Sequence, residues 1–245
     1  MENRKLLHDS NLSYAKFGWY ISIVTTLLTV ITFGTAICTP PLSGPFCTGS
    51  CLEYPFSEIA SRFPRDYYWM YPAIILSFSY LIMMITIYQT APENKKLFGM
   101  LGVTFAIMAS LILITDYFIQ VSVIQPSILS GETEGIALLT QFNPHGIFIV
   151  LEEIGFTLMI ISFFVLFPIF NGTTTLEKTI KWVAIIAFAL AVVSFLLVSI
   201  VHGIHREYRY EVVIISITWL ELIFISFLIA RYFKTKLSVL FKTQH

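Results

Sequence analysis

Polar and apolar positions along the chain fall into long blocks, not into the alternation of strands or the one-sided stripe of surface helices. Apolar stretches at about 17–37, 71–90, 98–120, 146–170, 180–201 and 211–232 are separated by short clusters of Pro, Gly, Asn and charge. A helix rises 1.5 Å per residue, so about 20 residues cross the roughly 30 Å of bilayer hydrocarbon. The pattern predicts an all-α integral membrane protein, a six-transmembrane-helix bundle forming one polytopic domain over 1–245.

Local signals sharpen the boundaries. "APENKK" (91–96) ends the second span and "NGTTTLEK" (171–178) separates the fourth from the fifth. "NPHG" (143–146) opens the fourth, with Asn143 expected as N-cap and Pro144 in the first turn. The first span is longer than a signal-peptide core and no small-x-small site follows it, so it reads as a mature helix.

Charge supplies an orientation. Only 12% of the residues are charged, about half the soluble norm, which again favours spans over a large soluble core. Arg4, Lys5, Lys16, Lys95, Lys96, Lys178, Lys181, Arg231, Lys234, Lys236 and Lys242 fall on one side of the predicted bundle, and only Arg62, Arg65, Arg206 and Arg209 on the other. By the positive-inside rule both termini are cytoplasmic and the long first loop, about 38–70, is extracytoplasmic. The expected setting is the cell membrane, with the lipid bilayer as the first partner. No basic patch or glycine-rich loop points to nucleic acid or nucleotide.

The outer side also holds the unusual segments. Cys38, Cys47 and Cys51 lie in or beside the first loop, where an oxidising exterior favours a disulfide. Cys47 and Cys51, in "CTGSC", are close enough to bridge, and Cys38 with either one is an alternative. In the same loop "YPFSEIASRF" suits a short interfacial helix. Arg62 and Arg65, around "FPRDYYW", are candidates for an anionic lipid headgroup, against the plainer reading of a local Arg65–Asp66 pair. The segment 121–145 reads as a mixed loop with some helix.

Candidate chemistry rests on acids inside the spans. Asp116 lies near the outer end of the third, Glu152 and Glu153 are adjacent in the fourth, and Glu221 is near the middle of the sixth. A charge at the bilayer centre costs about 2.5–3.5 kcal/mol on insertion scales, so such residues turn inward. Glu152 and Glu153 sit about 100° apart on a helix, so one should face a polar cavity and the other a hydroxyl or an outer arginine. His145, seven residues before Glu152, is expected on the same face, and His202 and His205 are expected to approach the acids from the fifth span. H-x-x-H with carboxylates suits a metal such as zinc, but that pattern alone is weak and no metal is assigned. Hydroxyls at Ser22, Thr25, Thr29 and Thr32 form one face of the first span and read as a packing seam.

The expected function is that of a binding or transport protein, whose outer acidic and histidine site takes a proton, a small cation or a lipid headgroup. Two alternatives stand beside it: a membrane enzyme acting on a lipid-like substrate at the outer leaflet, and an accessory subunit whose polar residues only hold its shape. No catalytic residue or cofactor is indicated.

Overall fold

The computed structural model describes residues 2–39, 41–170 and 172–242, without the side chains of 2–9, 11, 207 and 242. Arg4, Lys5 and Lys242, counted above as cytoplasmic charges, therefore lie outside the described side chains. The long helices are α1 (Glu2–Ile37), α2 (Met70–Gln89), α3 (Lys96–Ile119), α4 (Ile147–Leu166), α5 (Thr175–His202) and α6 (Glu207–Lys242). All six are long and apolar enough to cross a membrane.

Two of them outrun the apolar blocks. No proline interrupts 2–37, and neither glycine nor proline interrupts 207–242, so helix propagates into polar sequence at both ends. The segment after α3 is more ordered than a mixed loop. Its helix continues through a wide π turn (Gln120–Ile124) into Gln125–Leu129. Pro126 there lacks an N–H and perturbs the regular ladder, which is a recurrent cause of such turns. Asn143 does not cap α4. That role falls to Gly146, while the Asn143 side chain accepts from the His145 N–H and donates to the Ala137 carbonyl. Helix α5 opens on a capping box, with Thr174 and Glu177 satisfying each other's backbone N–H groups.

Around the bundle α1, α2, α3, α4 and α6 each touch the next and α6 returns to α1, while α5 packs outside the seam of α4 and α6. Small residues set the close approaches. Gly102 lies against Leu166, and Gly155 against Leu113; a Cβ at either glycine would come within 2.6 Å of the leucine side chain. These two pairs fix an antiparallel register between α3 and α4. Three residues forward from Leu113 in α3 and three back from Gly155 in α4, that register sets Asp116 opposite Glu152.

The α1 seam is polar but dry. Ser22, Thr25, Thr29 and Thr32 are all fully buried. Thr25 reaches Ser79 of α2, and neighbouring Thr26 meets Ser226 of α6 at 2.7 Å. The segments 38–69, 120–146 and 203–206 gather at one end of the bundle, called the loop end below. The tight connections 90–95 and 167–174 close the other.

Candidate functional site

At the loop end a partly open cavity of about 160 Å³ is lined by α1, α4, α6, Trp69 just ahead of α2, and two loop pieces. Its wall includes Glu152 of α4 and Glu211 of α6, with Trp69, Phe142, Phe148, Tyr208 and Trp219. The two carboxylates lie within electrostatic reach of each other. Two carboxylate groups so close in a buried wall repel unless a proton lies between them. Tyr117 of α3 donates to Glu152 Oε1 at 2.8 Å. Asp116 stands behind this pair in the α3–α4 seam, within electrostatic reach of both.

Burial of this group is almost complete: Asp116 and Glu152 are 1% exposed and Glu211 is 6% exposed. Asp116 Oδ2 and Glu211 Oε2 accept from no donor among the described residues. None of the three forms an ion pair with Lys or Arg among the described residues.

The roof is held by side-chain amides. The π turn swings the fully buried Gln120 so that it donates to the Leu139 carbonyl and accepts from the Gln141 N–H. Gln141 in turn donates to the Asp66 carbonyl. This ladder holds Gln141 and Phe142 over the acids, and Thr39, Pro41, Leu42 and Ser43 complete the cover.

The other acids are handled differently. Glu153, turned about 100° from Glu152, stays buried but faces away from the cavity and meets Arg206 at 3.0 Å. The Arg206 guanidinium also lies over the Phe195 ring. Asp66 is fully buried and paired with the adjacent Arg65 at 2.6 Å. Arg65 is thereby committed locally, and Arg62 is half-buried at the end of the 3-10 turn Ser57–Arg62. Glu221 is buried ten residues further along α6 than Glu211, about 15 Å deeper. It is not part of the cavity wall.

The histidines do not join the acids. His145 precedes α4 and is not carried on its helical face, so it does not stack over Glu152. Helix α5 stops at His202 because Gly203 takes φ +56°, and a 3-10 turn then carries His205. His145 and His205 lie 6.2 Å apart, and with His202 and Arg209 they line a separate recess. Tyr208 forms part of both walls. The residues expected to share one carboxylate–histidine cavity therefore line two neighbouring recesses, the acids one and the histidines the other. Among the described residues no group of three or more His, Cys, Asp or Glu is placed to hold a metal ion.

Nearby in the first loop Cys47 and Cys51 are bridged, and Cys38 is free and exposed. Glu211, Tyr117, Arg206 and the two tryptophans were not among the expected site residues. For Glu211 a signal existed, since it shares a helical face with Thr218 and opens the last span. Comparison with protein-family models, with curated proteins and with solved structures finds no match.

Proposed function

We propose that the chain is a binding or transport protein of the cell membrane, which takes a proton or a small cation into the Glu152–Glu211 cavity. One observation carries this reading: of the buried acids that form no ion pair among the described residues, Asp116, Glu152, Glu211 and Glu221, two, Glu152 and Glu211, form the wall of one cavity, whereas Glu153 and Asp66 are neutralised by arginines. Buried charge is costly unless compensated, so an acidic group left without a counter-ion at a cavity is suited to a positive ligand. The proton between Glu152 and Glu211 is the ligand of the resting state, and an incoming cation meets the remaining negative charge.

A membrane-soluble carbodiimide, which attacks protonated carboxyl groups in apolar surroundings, tests this. Peptide mass spectrometry is expected to find the label on Glu152 or Glu211 and not on the ion-paired Glu153. Sodium, ammonium or tetramethylammonium chloride should slow the labelling. Equal labelling of Glu153 contradicts the reading, and no protection by any of these salts contradicts its cation part and leaves the proton as the ligand.

The loop end faces outward in this proposal, because the Lys and Arg count places both termini in the cytoplasm. Cys38 offers a direct check, being the one cysteine outside the disulfide. A membrane-impermeant maleimide should label it on intact cells, and denatured protein should show further thiols only after reduction. Labelling that requires permeabilised cells would reverse the orientation.

A further inference from the structure

Resting on the reading of this cavity as a cation site, we infer that its ligand is a compact alkylammonium group, not an inorganic ion. The wall is mostly carbon. Trp69, Phe142, Phe148, Tyr208 and Trp219 are joined by Ala36, Pro41, Leu42, Ile149 and Ile215. An inorganic cation entering such a space must exchange its water for oxygens, and calcium takes six to eight of them. An alkylammonium group carries its charge on a shell of carbon and is attracted by aromatic faces within about 6 Å.

The rings are fixed in place before any ligand arrives. Trp69 and Trp219 meet edge to face at 6.2 Å. Trp69 is further held by Tyr117 at 5.3 Å, and Trp219 by Phe33 at 5.3 Å and Phe156 at 5.8 Å. Tyr117 is also the donor to Glu152, so aromatic wall and acid are positioned by one side chain. Pre-set rings lose little freedom when a ligand binds.

Size and charge agree with this class. The cavity, at about 160 Å³, is several times the roughly 10–15 Å³ that one water needs and smaller than the roughly 300 Å³ at which drug-sized pockets begin. With one proton between them, Glu152 and Glu211 present a single negative charge, which matches a monocation. Asp116 stands off the wall and is not among the lining residues. The same ammonium chemistry occurs in a free amine and in the choline headgroup of a lipid.

Tryptophan fluorescence provides the test, because Trp69 and Trp219 line the cavity. Tetramethylammonium chloride is expected to shift the emission of the purified protein saturably, while sodium and potassium chloride at equal ionic strength do not. Phe148→Leu, which removes a ring and keeps both reporters, should weaken the apparent affinity about tenfold. Phe148→Tyr should restore it, which separates a ring contact from a packing role. In nanodiscs, a weaker tetramethylammonium response in phosphatidylcholine than in phosphatidylglycerol identifies the headgroup as the source, and equal responses identify a free amine. Saturable binding of sodium or potassium without tetramethylammonium overturns this inference and leaves the cation site standing. Failure of every cation overturns both.

Discussion

Replacing Arg206 by glutamine is expected to destabilise the protein by about 2 kcal/mol or more, because it leaves Glu153 buried without its counter-ion. The Glu153 side chain is only 10% exposed and that of Arg206 29%, so solvent screens the pair less than a surface ion pair and more than a fully buried one. The double variant Glu153→Gln/Arg206→Gln should recover most of the loss, since it leaves no uncompensated buried charge at residue 153. Thermal unfolding in detergent reads both effects. If single and double variants unfold alike, the packing of Arg206 over Phe195 and Tyr210 is what holds the α5–α6 turn. The loss in the single variant would then be that of a cation–π contact, about 0.5–2 kcal/mol.

The six apolar helices were legible because bilayer thickness imposes a length on every span, and that length is written directly in the hydrophobic pattern. Boundaries were less so, since α1 and α6 continue into polar sequence wherever no proline or glycine stops them. The different orientations of Glu152 and Glu153 followed from helix geometry alone. Which partner each finds depends on how α3, α4 and α6 pack, and that is set by non-local contacts such as Gly155 against Leu113.

His145 shows how helical periodicity misleads when its premise fails. Seven residues mean one face only inside a helix, and the Asn143 turn places His145 before the helix begins. Glu211 shares a helical face with Thr218 and Glu221 in the sequence, but it stands at the first position of the apolar block, where the pattern gives it no depth; α6 begins at Glu207 and carries it into the bundle wall.

The shared proton between Glu152 and Glu211 leads to an uncommon pattern of variant effects. A glutamine at 211 donates to Glu152 much as a protonated glutamate would, so Glu211→Gln should keep one negative charge in the cavity. Cation affinity should then change only severalfold. Glu152→Gln/Glu211→Gln removes the charge from the cavity wall and leaves only Asp116 behind it. At an effective dielectric of about 20, a charge 4 Å away contributes up to about 4 kcal/mol, so a loss of up to about a thousandfold is expected. Glu221→Gln serves as the control, being an equally buried acid on the same helix that does not touch the cavity.

Titration calorimetry on purified wild type and these three variants, with sodium, ammonium and tetramethylammonium chloride in turn, tests the cation site most directly. The account predicts one cation per chain in the wild type and in Glu221→Gln, similar binding in Glu211→Gln, and no measurable binding in Glu152→Gln/Glu211→Gln. Binding that survives in the double variant, or that disappears in Glu221→Gln instead, would contradict it.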